Sequence, residues 1–189
     1  PWRFGPGPLA AMRGAIRTRY RLLPYLYQCF FAHWLDGDPI IRPLLYHHAG
    51  PEYVNLDDQY LVGDALLVVP ILHGEGQGPE IVRSGVKYQE RSVLLPSGWW
   101  FDLNRGEWVQ GGRMIPYAAA LDELPLFARD GAMLPYYAGP LQNGFVDLRA
   151  VELHLFCRER AARFDYYVDD RETRRYQDGG YGVARITAE

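Results

Sequence analysis

From Leu9 onward, Met12, Ile16, Tyr20, Leu23, Tyr27 and Phe30 recur at steps of three or four residues, which marks one face of a helix. Arg13, Arg17 and Arg21 keep the same step on another face. Residues Pro1 to Pro8 are punctuated by Pro and Gly and read as a loop, with Pro8 suited to a first helical turn. Pro24 breaks the hydrogen-bond ladder and should kink the helix or divide it in two. The period fades at Leu35, and Asp36-Gly37-Asp38-Pro39 predicts a stop followed by a turn.

The pattern then shortens to that of strands. Ile40 to Tyr46 is an apolar run interrupted by Pro43, and Tyr60-Leu61-Val62 and Leu66-Leu67-Val68-Val69 flank Gly63-Asp64. Strands are predicted at Arg91 to Leu95, Trp99 to Asp102, Glu107 to Gln110, Arg113 to Pro116, Leu126 to Ala128 and Ala132 to Tyr136. Asn104-Arg105-Gly106 reads as a hairpin turn between two of them. Such spacing predicts an antiparallel β-sandwich. After a break at Ala138 to Gly144, Val151 to Phe156 alternates with Val151, Leu153 and Leu155 on one face. Phe164 to Val168 and Tyr181 to Ile186 follow, separated by the turn Asp178-Gly179-Gly180. They predict the start of a second β-domain. The fold class is therefore mainly β with an N-terminal helical segment, and the helix needs a partner for its apolar face.

Composition changes this picture little. Nearly half of the 189 residues are hydrophobic, enough for a real core, and five Trp and fourteen Tyr suit pleated surfaces or sugar stacking. A net charge of −3, with Arg171, Arg174 and Arg175 diluted by Asp169, Asp170 and Glu172, argues against nucleic acid as a partner. No apolar run reaches the roughly 20 residues that span a bilayer. Cys29 and Cys157 sit among apolar residues and read as small buried hydrophobes. No metal-ligand spacing is present, and no cofactor motif. The opening Pro1-Trp2, without Met, predicts a segment of a longer chain.

Five strings, in order, resemble glycoside hydrolase family 31. They are Arg19-Tyr20-Arg21-Leu22-Leu23-Pro24-Tyr25-Leu26-Tyr27, then Asp38-Pro39-Ile40-Ile41-Arg42-Pro43-Leu44, then the run from Asp57 to Pro70. Leu95 to Asp102 with Leu124 to Ala132, and Tyr166 to Thr173, complete the set. The resemblance implies the last helix and strand of a (β/α)8 catalytic barrel in residues 1–56. It implies a proximal β-sandwich in 57–138 and a partial distal β-domain in 139–189. The activity implied is retaining cleavage of α-glycosidic, foremost α-glucosidic, bonds. The partners implied are an α-linked oligosaccharide or glycoside substrate in the intact enzyme and the upstream part of the barrel. One departure is Arg171, where the family usually has Gly.

Retention needs two carboxyl groups about 5 Å apart. In the family these are Asp residues that precede Pro1, as do an Arg and a His that hold the sugar. The resemblance thus assigns no catalytic, substrate-binding or metal-binding residue to this chain. The visible acids read as structural. Asp57 and Asp58 are adjacent and would point to opposite faces of a strand, and a role bonding backbone amides is expected of them. Asp169 and Asp170 are adjacent in the same way and precede a turn. His47-His48 lies in a loop, His33 suits a helix end, and His73 and His154 have no context. Arg42, in an apolar strand, must be paired. Trp99, Trp100 and Trp108 read as sandwich packing, with a sugar-stacking platform as the alternative. A stand-alone carbohydrate-binding or structural β-sandwich module is the competing reading of the whole chain.

Overall fold

The computed structural model describes residues 2–72, 78–141 and 150–189. The predicted helix forms as two. Helix α1 runs Pro6–Arg21 and α2 runs Leu23–Asp36, separated at Leu22 by the proline two residues on. Proline stands at the first turn of each helix, where its missing N–H is harmless. Helix α1 therefore starts at Pro6, inside the segment expected to be a loop. Gly37, at φ 79°, closes α2 in the left-handed conformation and donates to the His33 carbonyl.

The buried stripe of the helices is Leu22, Tyr25, Gln28 and Cys29. It is not the predicted stripe, whose members Met12, Ile16 and Phe30 are exposed. Helix α1 buries no residue at all.

Strands follow as β1 (Ile41–Arg42), β2 (Tyr60–Val62), β3 (Leu66–Val68), β4 (Glu80–Arg83), β5 (Val86–Leu95), β6 (Trp99–Asp102) and β7 (Glu107–Gln110). They continue as β8 (Arg113–Ala120), β9 (Leu126–Arg129), β10 (Ala132–Tyr137), β11 (Val151–Phe156), β12 (Ala162–Val168) and β13 (Gly182–Ala188). Every described pairing is antiparallel. A six-stranded sheet has the order β1-β2-β3-β9-β6-β7, and a three-stranded sheet the order β4-β5-β8. β10 pairs with β11, and β12 with β13. The expected strand over Ile40 to Tyr46 shrinks to β1, because Pro43 has no N–H and Leu44–Tyr46 winds into a 3-10 turn.

The six-stranded sheet is buried on both faces. Leu67, Phe127 and Trp100 point into a core shared with Val93, Leu95 and Tyr117 of the smaller sheet. Leu66, Val68 and Ala128 point the other way, onto Tyr25 and Cys29 of α2 and Leu134 of β10. This explains the unbroken apolar run at Leu66 to Val69. Alternation is lost where both faces of a strand leave water. Each fully buried large side chain contributes about 1.5–3 kcal/mol.

The turn after β6 forms as the Asn104-Arg105-Gly106 string predicts. Buried Asp102 accepts the Asn104 and Arg105 backbone N–H groups at 2.9 and 3.1 Å. Strand β11 departs from expectation. Phe156 is its buried residue, whereas Leu153 and Leu155 are exposed. The register sets Phe156 opposite Ala132 and His154 opposite Leu134, so the core face is the one that carries histidine. The break at Ala138 to Gly144 lies partly outside the described residues.

Candidate functional site

A cleft of about 580 Å³ opens between α2, the β2–β3 turn, the start of β10 and the β12–β13 hairpin. Asp36, Asp64 and Asp165 contribute its negative charges, and Arg42, Arg129, Arg163 and Arg185 its positive ones. Gly63 lets the turn come close to α2. Its φ is 61°, and a Cβ there would run into the Tyr25 hydroxyl and the Cys29 sulfur. The Tyr25 hydroxyl donates to the Val62 carbonyl at 2.7 Å and accepts from the Ala65 N–H at 3.3 Å. Burial raises the Tyr25 hydroxyl well above the usual tyrosine range.

Two of the three cleft acids are tied to arginines, and the third, Asp36, stands at the end of α2. Arg129 donates to Asp64 at 3.0 Å, and Arg185 donates to both oxygens of Asp165 at 2.9 and 3.1 Å. The Arg185 hydrogen bond holds the Asp165 carboxyl below the usual carboxylate range. A general acid at neutral pH needs the opposite shift. Chemically, Asp64 and Asp165 serve as ion-pair partners in the cleft.

A second recess, of about 530 Å³, lies where α2 meets the β12–β13 hairpin. Phe31 stacks on Tyr167 with centroids 3.8 Å apart, and Trp34 meets Tyr176 edge-on at 5.2 Å. Asp169 accepts the Tyr27 hydroxyl at 2.7 Å, the Tyr167 hydroxyl at 2.6 Å and the Arg171 N–H at 3.0 Å. Desolvation, reinforced by the Asp169 carboxylate, pushes both phenols above their ordinary range. Asp170 accepts the Glu172 and Thr173 N–H groups and the Thr173 hydroxyl, closing the turn. Asp169 therefore joins helix to hairpin, while its neighbour serves the turn alone.

The remaining candidates are placed separately. Asp58 forms an ion pair with Arg91, whose guanidinium also donates to the Asp58 carbonyl at 3.1 Å. The expected amide-bonding role does not apply to Asp58, because Arg91 on β5 reaches it first. Arg42 is buried and fully engaged with Asp38, Pro39 and His47. His33 Nδ1 lies 3.0 Å from the Asp38 carbonyl oxygen at the end of α2. His154 stacks beside Tyr136, with centroids 4.3 Å apart. His73 lies outside the described residues.

Trp100 is buried and donates to the Pro96 carbonyl at 2.8 Å. Trp99 carries the Arg158 guanidinium 3.8 Å above its ring and donates to Glu159 at 2.7 Å. Trp108 meets Phe101 edge-on. The three tryptophans serve packing, and the stacking face of Trp99 is covered by Arg158. Cys29 is buried, but Cys157 is exposed, against expectation. Its strand ends just before it, and the chain turns outward. Among the described residues, no group of three or more His, Cys, Asp and Glu side chains is placed to hold a metal ion.

Two glutamines were illegible as functional residues in the sequence. Gln28 pairs with the backbone of Tyr167, and Gln59 with the backbone of Leu94. Gln28 shows in the sequence only as a lone amide in an apolar stretch, and Gln59, directly after Asp57 and Asp58, gives no such signal.

A sheet buried on both faces, with a second sheet on one side and a helix pair on the other, defines a mainly β protein with antiparallel sheets. The family profile described as the glycosyl hydrolase family 31 C-terminal domain matches residues 37–134. The chain belongs to glycoside hydrolase family 31. It is 33% identical over 189 residues to an alpha-xylosidase of Saccharolobus solfataricus, covering 99% of this chain and 24% of that protein. It is 30% identical to a 1,6-alpha-glucosyltransferase of Sporosarcina globispora, covering 100% of this chain and 14% of that protein. The chain thus spans a quarter or less of these curated relatives. A family 31 dextranase mutant of Flavobacterium johnsoniae, complexed with isomaltotriose, superposes with a TM-score of 0.82 at 28% identity. That superposition covers 99% of this chain and 22% of the dextranase.

Proposed function

We propose that this chain is the C-terminal part of a retaining glycoside hydrolase that cleaves α-glycosidic bonds, α-glucosidic bonds foremost. Its role is to brace the catalytic barrel, whose carboxylates come from elsewhere. The observation that carries this reading is helix α1, which buries none of its residues and leaves Met12 and Ile16 open. An apolar helix face of this kind needs a cover. In this reading α1, α2 and β1 are the last helix and strand of a (β/α)8 barrel. Residues 57–138 form the proximal sandwich and 139–189 a partial distal β-domain, with the β10–β11 pairing joining the two. The substrate is an α-linked oligosaccharide or glycoside, and the packing partner is the rest of the barrel. The alpha-xylosidase and glucosyltransferase relatives support the α-linkage. A stand-alone sugar-binding module fares worse, because Trp100 is buried and Arg158 covers Trp99.

The test joins this chain to the coding sequence that precedes Pro1 and assays p-nitrophenyl α-glucoside and α-xyloside. Activity should require the joined protein, and the first-formed sugar should keep the α configuration by NMR. Inversion, or hydrolysis by the 189-residue chain alone that is lost in Asp58→Asn, overturns the proposal.

A further inference from the structure

Arg42 sits on β1, the two-residue edge strand of the six-stranded sheet, and is 4% exposed. Its guanidinium donates to the Pro39 carbonyl at 2.6 Å and to Asp38 Oδ2 at 3.1 Å. The third contact, from Nη1 to His47 Nε2 at 2.8 Å, has a chemical condition attached. Nε2 can accept only while the imidazole is neutral, because an imidazolium has no acceptor to offer. The other Asp38 oxygen accepts the Tyr46 hydroxyl at 2.9 Å, and the Asp38 carbonyl oxygen lies 3.0 Å from His33 Nδ1. The segment from Asp38 to His48 therefore folds back on itself around one buried cation. It holds β1 where Ile41 and Arg42 pair with Val62 and Leu61.

The charges around His47 come from several elements. Arg42 on β1 and Arg129 on β9 oppose a positive imidazole. Asp38, before β1, and Asp64, in the β2–β3 turn, favour it. Desolvation comes first and Arg42 next in lowering its pKa below the ordinary histidine range. The adjacent His48 is lowered too, by burial and then by His47.

We propose that residues 38–48 form an acid-sensitive clasp, closed by the hydrogen bond from Arg42 to neutral His47 and opened when His47 takes a proton, which loosens edge strand β1 from β2. The fold disfavours the imidazolium. The contribution of the clasp is therefore complete above the unfolded histidine pKa of about 6.5 and declines as pH falls below it. His47 is exposed on its outer side, so a protonated ring can swing to water. The response is consequently local opening, with the rest of the sheet intact.

Hydrogen–deuterium exchange by mass spectrometry on the 189-residue chain tests this at pH values of about 7.5 and 5.5, on either side of that midpoint. After correction for intrinsic exchange rates, peptides covering 38–48 and 60–63 should lose protection several-fold at the lower pH. Peptides from β5 and β8 should not. His47→Gln, whose side-chain oxygen accepts from Arg42 at either pH, should abolish the difference, and His48→Gln should retain it. Equal protection of the native chain at both pH values overturns the clasp. So does a full acid response in His47→Gln, or loss of the response in His48→Gln alone.

Discussion

Replacing Gln28 by Leu tests how the helix pair is fastened to the β12–β13 hairpin. The Gln28 side-chain amide imitates a neighbouring strand. Its Nε2 donates to the Tyr167 carbonyl at 3.2 Å, and its Oε1 accepts the Tyr167 N–H at 2.6 Å. Gln28 is 7% exposed and Tyr167 4%. Leucine fills a similar volume, so the loss is polar and not a cavity. It removes two hydrogen bonds and leaves one buried N–H and one buried C=O without a partner. A net loss of about 2–4 kcal/mol is expected, which for a chain of this size lowers Tm by roughly 4–16 °C. Thermal melts followed by circular dichroism give the size. Limited proteolysis gives the place, with early cuts expected within residues 162–188. Gln28→Glu provides an internal check. Its carboxylate can accept the Tyr167 N–H but cannot donate to the carbonyl until it is protonated. Burial raises its folded pKa above the unfolded value of about 4.3, so this variant should gain stability relative to native as pH falls toward that value. A Leu variant that melts within about 1 °C of native would refute the assignment of the fastening to this amide.

Gln59, 2% exposed, holds Leu94 by the same paired geometry, and Gln59→Leu should cost a similar amount, about 2–4 kcal/mol, read from urea midpoints. Ellman's reagent should titrate one thiol in the native chain and two after denaturation. Cys157 is exposed, whereas burial raises Cys29 to about 11. Arg171 has φ 59°, a left-handed conformation that costs a non-glycine residue roughly 1 kcal/mol. Arg171→Gly should relieve that backbone cost, offset by the added freedom of the unfolded chain and by loss of the arginine's electrostatic contribution beside Tyr27, so its melt should stay within about 1 kcal/mol of native.

What was legible in the sequence follows from which physical signal dominates each element. β6 and β7 have the bounds the sequence predicts because Asn104-Arg105-Gly106 has the chemistry of its turn. The helical stripe was read from apolarity alone and so missed the buried face, which contains Gln28 and the hydroxyl-bearing Tyr25. A polar group buried by a tertiary hydrogen bond looks like a solvent-facing residue until its partner is known. β4 and the first half of β5 escaped because Val86, Lys87 and Glu90 carry little hydrophobic pattern on an exposed pair of strands. In β11 the tertiary register overrode the apolar face, since pairing with β10 turned Phe156 inward and Leu155 outward. The paired ions of the cleft were equally hidden. Asp64 and Arg129 are 65 residues apart, and only the β3–β9 pairing brings them together.

Helix α1 gives the last prediction, because an amphipathic helix with no buried residue should behave differently in isolation and in a larger body. Met12 and Ile16 are 43% and 52% exposed, and Phe4, in the 3-10 turn before the helix, is 73% exposed. Such a surface favours self-association of the chain in water. Ile16→Glu changes this at little expense to the fold. Ile16 is half exposed and has little packing to lose, glutamate is the better helix former by a few tenths of a kcal/mol, and Arg13 and Arg19 stand three residues away on either side. Size-exclusion chromatography with light scattering should show a larger monomer fraction for Ile16→Glu, and the melt should stay within about 1 kcal/mol of native. If α1 instead folds back and buries this face in solution, the same substitution places a carboxylate in an apolar contact. It would then destabilise the chain by several kcal/mol, and α1 would need no further partner.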